Sequence, residues 1–123
     1  MRFVMLLLLF CSVGVQAHQW TPTYPKLIPS YVDGVLTTQL ELFNSRSDVG
    51  YYEIGVFDED MNPVKFATAE RIIPVDHLRR VKVDIFIREQ DRDKAVYICS
   101  KSKHPKDTGT KTLVASRICS KIK

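Results

Sequence analysis

The residues of this chain best placed to do chemistry lie in two copies of one tetrapeptide, Ile-Cys-Ser-Lys, at positions 98–101 and 118–121. Two thiols spaced this way can form a disulfide, lend two ligands to a metal, or supply a nucleophile with a spare. A zinc site needs more ligands, but His104 is the only histidine between the cysteines and no Cys-x-x-Cys spacing occurs. A nucleophilic cysteine needs a histidine and an orienting partner, and a second cysteine would encumber it. The staple fits best. Cys99 and Cys119 each fall late in a strand-like segment, with the loop "SKHPKDTGT" between those segments. Strands joined in that way are usually neighbours. Closing a loop of roughly twenty residues contributes about 3 kcal/mol in the chain-entropy model. The bridge requires the two residues to stand directly opposite each other, a register that the sequence does not fix.

Other chemistry-bearing groups are few. The acidic run Asp58-Glu59-Asp60 lacks the alternating ligand spacing of a calcium loop and reads as a solvated turn. The basic string Lys101, Lys103, His104 and Lys106 reads as a solvated loop, and His77 in "PVDHLRR" as a turn residue. No phosphate loop, nucleophile elbow or His-Glu-x-x-His is present, so the expectation is a protein that is not an enzyme and needs no cofactor.

The elements that must position these residues begin with the amino terminus. Met1-Arg2, the apolar run "FVMLLLLFCSVGV" and the small-x-small triplet Val15-Gln16-Ala17 have the parts of a secretory signal peptide. The run is too short for a span of about 20 residues. Cleavage is expected after Ala17, making residues 1–17 the signal and 18–123 a single domain. A lipoprotein cut before Cys11 competes, and the bulky Phe10 argues against it. Cys11 leaves with the signal, so an even pair of cysteines remains in a compartment where disulfides persist. One basic residue and no acid also leave, taking the formal charge from +4 to +3. So mild and scattered a charge does not suggest nucleic acid. Cleavage there would also make His18 the first residue. Its amine and imidazole could then chelate copper together, with His77 or His104 completing the site.

Beyond the signal, the lead "HQWTPTYPKLIPSYVDG" holds Pro22, Pro25 and Pro29, which limits it to an irregular arm or an edge strand. "VLTTQLELFN" then alternates Leu36, Thr38, Leu40, Leu42 against Thr37, Gln39, Glu41, Phe43. "YYEIGVF" sets Tyr52, Ile54 and Val56 on one side, and "LRRVKVDIFI" does the same with Val81, Val83, Ile85 and Ile87. Period two is the signature of half-buried strands. "NSRSDVG", "DEDMNPV" and "REQDRDK" are turn chemistry. "AVYICSK" and "KTLVASRICSKIK" close the series. About seven short strands with turns between them predict an all-β, immunoglobulin-like antiparallel sandwich.

The middle of the chain, residues 35–100, resembles the N-terminal domain of periplasmic pilus-assembly chaperones. The likeness rests on three motifs in order. Residues 40–44 with Ser45 and Asp48 match a strand ending in an asparagine turn. Ile72-Ile73-Pro74 followed by Arg80-Val81-Lys82-Val83 matches a proline turn into a basic-alternating strand. Asp91-Arg92-Asp93 before Val96-Tyr97-Ile98 matches a charged turn before an aromatic-bearing strand.

The resemblance implies an immunoglobulin-like fold and a mechanism in which the last strand is lent to an exported pilus subunit. The matching segment offers Val114, Ser116 and Ile118 on one face. The family also grips the subunit's terminal carboxylate with two cations. By position these would be Lys26 and either Arg117 or Lys121, although no motif surrounds them here. The cysteine pair is not typical of that domain. The expectation is a periplasmic, non-enzymatic protein that binds an exported protein partner in pilus or secretion assembly, with no membrane span in its mature form. The alternatives are a copper carrier using His18, and a structural or adaptor module of an envelope complex.

Overall fold

Strand β3 (Val35–Phe43) is the spine of the molecule, because it pairs along one whole edge and is covered along the other by two short strands. The computed structural model describes residues 18–103 and 116–123. Residues 1–17, on which the signal-peptide expectation rests, lie outside the described residues.

On one edge, β3 runs antiparallel to β6 (Arg80–Arg88) over its full length. On the other it pairs with β1 (Gln19–Thr21) and β2 (Ile28–Pro29), the two pieces of the proline-punctuated arm. That edge is where prolines are tolerated, since one side of an edge strand needs no donors. The second sheet has the order β5-β4-β7-β8, with β4 (Tyr51–Phe57), β5 (Ile72–Pro74), β7 (Tyr97–Lys103) and β8 (Arg117–Lys121). Two four-stranded antiparallel sheets stack as an immunoglobulin-like sandwich. The described residues hold eight strands rather than about seven, because the arm forms two. A single 3-10 turn, Glu89–Asp91, is the helical element among them.

The period-two alternation predicts the core side chain by side chain. Leu36, Leu40, Leu42, Val83, Ile85 and Ile87 face inward from one sheet, and Tyr52, Ile54, Val56 and Ile98 from the other. Each such burial removes apolar surface worth about 1.5–3 kcal/mol. Trp20 inserts from β1 and donates its indole N–H to the Ile98 carbonyl at 3.0 Å, tying the arm to the opposite sheet. Strand β7 runs on to Lys103, two residues into the segment expected to be loop.

The cysteines answer the register question. Cys99 stands directly opposite Cys119, and the pair is bridged with a Cα–Cα distance of 4.0 Å. The Ser102 N–H bonds to the Ser116 carbonyl and the Ile122 N–H to the Val96 carbonyl, so the even-numbered residues of β8 exchange hydrogen bonds with β7. The cysteines therefore occupy a non-hydrogen-bonded position, where facing side chains come closest. Aligning the two Ile-Cys-Ser-Lys copies antiparallel on their cysteines sets Ile98 against Ser120 and Ser100 against Ile118. Replacing both Cys99 and Cys119 with Ala should lower unfolding free energy by about 2–4 kcal/mol. Urea denaturation checks this, with the reduced wild type expected to match the variant.

Candidate functional site

Asn44 ends β3, and it is fully buried. Its side-chain amide donates to the carbonyls of Val49 (2.7 Å) and Val75 (2.8 Å). Its Oδ1 accepts the Arg46 N–H (3.0 Å) and the Tyr52 hydroxyl (2.6 Å). The backbone of Asn44 closes a further pair with the turn after β5, accepting from the Leu78 N–H (2.7 Å) and donating to the Arg79 carbonyl (3.0 Å). His77 is exposed in that turn. A buried amide with every hydrogen-bonding position used is how a polar side chain survives in a core.

From Tyr52 the polar seam continues to His18, whose ring centroid lies 4.7 Å from that of the tyrosine. His18 is 4% exposed. Its Nε2 meets the Ser100 hydroxyl at 2.8 Å and its Nδ1 meets the Ser116 hydroxyl at 3.3 Å. A neutral ring offers one donor and one acceptor, and two hydroxyls satisfy both. Burial holds the imidazole down to about 4 from its ordinary 6.5, with the Arg46 charge adding to the effect and the Ser100 hydrogen bond opposing it. Burial likewise pushes the Tyr52 hydroxyl up to about 12. The copper alternative rests on the His18 amine and imidazole. Here that ring is enclosed and both its nitrogens are engaged, with His77 on the surface and His104 outside the described residues. Among the described residues, no group of three or more His, Cys, Asp or Glu could hold a metal.

The candidate interaction strand is less accessible on its side-chain face than the sequence suggested. Val114 lies outside the described residues. Ser116 and Ile118 are half-buried and point inward, Ser116 to His18 and Ile118 against the core. What β8 presents outward is its main chain. The odd-numbered residues turn their N–H and C=O groups away from β7, and β8 is the last strand of its sheet. The arm hydrogen-bonds to the far end, where the N–H groups of Lys121 and Lys123 donate to the carbonyls of Thr23 (3.0 Å) and Pro25 (3.1 Å), and its β1 stretch packs close to β8 as well. At Arg117 and Cys119, no described residue supplies a main-chain partner on that rim.

The expected carboxylate anchors separate along this strand. Lys26, beside the Pro25 that accepts from Lys123, and Lys121 stand at the covered end, and both are exposed. Arg117 is exposed at the opposite end, four residues or about 13 Å from Lys121. The serines Ser100, Ser102, Ser116 and Ser120 were not anticipated as a set. Ser120 donates to the Pro22 carbonyl at 2.7 Å, and Ser102 accepts the Ser116 N–H at 2.8 Å. Their one signal in the sequence was polar residues at positions of β7 and β8 whose alternation called for apolar ones.

This geometry defines a class: an immunoglobulin-like sandwich with a disulfide-pinned edge strand whose rim is only partly paired among the described residues. The chain is similar in structure to a chain of the Salmonella enterica SafA pilin in complex with the SafB chaperone, with a TM-score of 0.61 and 13% identity over 85% of this chain. This chain spans about half, 52%, of that one. At that identity the likeness is one of fold. No protein-family model and no curated protein matches the sequence. The intrachain disulfide, rare in reducing compartments, points to an exported protein. Among the described residues, no helix is long and apolar enough to cross a membrane.

Two outcomes are expected from the seam. Asn44→Leu strands the Tyr52 hydroxyl and the Val49 and Val75 carbonyls, and should cost about 3 kcal/mol in denaturant unfolding. His18 has a folded pKa of about 4 against 6.5 unfolded. The unfolded chain therefore binds the extra proton, and the stabilisation present above pH 6.5 is lost as pH falls toward 4. A loss on the order of 3 kcal/mol is expected across that window. A His18→Gln variant should lack that segment of the pH–stability curve.

Proposed function

We propose that this protein is a non-enzymatic, periplasmic, chaperone-like component that binds an exported partner subunit, in the assembly of a pilus or another surface or secretion structure. It would do so by pairing along the outer rim of β8. The observation that carries this reading is the rim itself: outward main-chain groups at Arg117 and Cys119 on an edge strand, without a main-chain partner among the described residues, while the arm's main-chain bonds fall further along. Unpaired edges invite strand addition, and native proteins usually blunt or cover them. An extended partner segment added there would gain main-chain hydrogen bonds for affinity and side-chain contacts for specificity.

The fold likeness to a pilin–chaperone complex and the disulfide support the same reading. The inward orientation of Ser116 and Ile118 refines it. Those side chains belong to this domain's own interior, so β8 would offer its edge while remaining in its sheet. A covalent bond to β7 favours this, because the strand is held in its paired conformation before a partner arrives and less ordering remains to be done on binding.

The test uses proline. The Arg117 N–H faces outward and takes no part in the β7–β8 ladder. Arg117→Pro should therefore leave stability within about 1 kcal/mol, as for proline on edge strands. It should also block strand addition. Arg117→Lys, which keeps both the N–H and the charge, should still bind. Co-expression with the exported proteins of the same cell, followed by hydrogen exchange on the recovered complex, should give slowed exchange at the Arg117 and Cys119 amides. Equal binding by the proline variant would refute edge pairing.

A further inference from the structure

The outer face of the β4–β7–β8 sheet carries positive charge that the described residues do not balance. One row across it reads Glu53, Lys101, Arg117 in direct register. Like charges directly opposite on a sheet face are destabilising, and Lys101 and Arg117 are such a pair. Glu53 stands opposite Lys101 but turns instead to Lys103, with Oε2 3.1 Å from Nζ. Arg117 lies over the Phe57 ring, 5.8 Å from its centroid. Among the described residues, neither Lys101 nor Arg117 has a carboxylate partner. Lys121 adds a further cation on the same face, beyond the disulfide. The other sheet behaves differently: Arg80 meets Glu41 at 2.9 Å across β3 and β6, and Gln39 meets Asp84 at 2.9 Å.

Between Lys101, Arg117 and Phe57 the surface sinks into a dimple of about 170 Å³, with Glu53, Ile54, Gly55 and Cys99 also in its lining, the Glu53 carboxylate being turned to Lys103. Gly55 stands beside Cys99 in the row that holds the disulfide. A Cβ at Gly55 would come within 2.8 Å of the Phe57 ring, which folds back over its own strand.

We propose that this face docks an extended acidic segment of a protein partner, with one carboxylate entering the dimple between Lys101 and Arg117. Charge complementarity selects an anion. The dimple has room for a side chain, and Arg117 and Lys121 stand four residues apart on one face of β8, a spacing of about 13 Å that same-side residues of any extended chain can match. A membrane-bound face would need apolar side chains reaching outward beside its cations. Here the central positions are Gly55 and a disulfide, and the Phe57 ring lies back on the strand. The inference goes beyond edge pairing, because it concerns the face of the sheet and holds whether or not the rim of β8 is used.

The experiment measures fluorescence anisotropy of a short, end-blocked peptide of alternating Glu and Thr, beside the same peptide with Gln for Glu. Wild-type protein should bind the Glu peptide and not the Gln peptide. The double variant Lys101→Gln, Arg117→Gln should weaken binding about tenfold or more, and should be no less stable, since it removes a like-charge pair. A control of equal charge, Lys65→Gln with Lys82→Gln, both exposed and elsewhere, should bind as the wild type does. No binding by the wild type, an equal loss in the control, or an unchanged double variant would overturn the proposal. So would binding to phosphatidylglycerol vesicles that the double variant loses while the Glu peptide goes unbound, which would assign the face to lipid.

Discussion

A fully buried asparagine amide has to find its partners within the protein, and the folds around Asn44 follow from that requirement. Its four side-chain hydrogen bonds join the end of β3, the loop to β4, the turn after β5, and Tyr52 on the opposite sheet. Each bond is worth about 1 kcal/mol net, but an orphaned partner inside the core costs about 1–3 kcal/mol, so the cluster forms together or not at all. Apolar packing brings the two sheets face to face without fixing how they are offset. A directional network that spans both of them supplies that registration.

The seam also explains the polar edge of the sandwich. His18, Ser100, Ser102, Ser116 and Ser120 occupy positions that would hold aliphatic side chains in a sheet buried against its neighbour. They meet the amino-terminal arm there, which leaves the first sheet after Thr21, bonds to Lys121 and Lys123 of the second, and returns to β3 at Ile28. A segment that changes sheets in this way brings polar groups to the sandwich edge, where the Ser120 hydroxyl satisfies the Pro22 carbonyl and those of Ser100 and Ser116 satisfy the His18 ring. The serines thus let one short arm close two sheets.

Much of this could be read from the order of residues. Strict alternation in "VLTTQLELF" and "RVKVDIFIR" fixed which side chains face inward, since period two admits only two assignments and one of them buries charge. The cysteine pair could be chosen because a small exported domain has few other uses for two thiols. The burial of His18 could not. Its fate depends on Ser100 and Ser116, which are 82 and 98 positions away and meet it only once the arm has crossed sheets. Nor could the direction of Ser116 and Ile118, because Ser116-Arg117-Ile118-Cys119 has a polar or ambiguous residue at every step, and only the cysteine register decides which side is inside.

That register has a further consequence. With Cys99 and Cys119 at a non-hydrogen-bonded position, the disulfide lies on the outer face of the sheet, and the ladder on either side of it is left intact. A bridge placed one residue away would have pointed into the core and displaced Ile118 or Ser120. The covalent link and the ladder therefore hold β8 by independent means, one from its face and one from its inner edge. Among the described residues, none bonds to the main chain of the outer rim at Arg117 and Cys119, beside which Lys101 and Arg117 stand on the face. A strand so held keeps its main chain extended and its rim in one orientation, whatever comes to lie beside it.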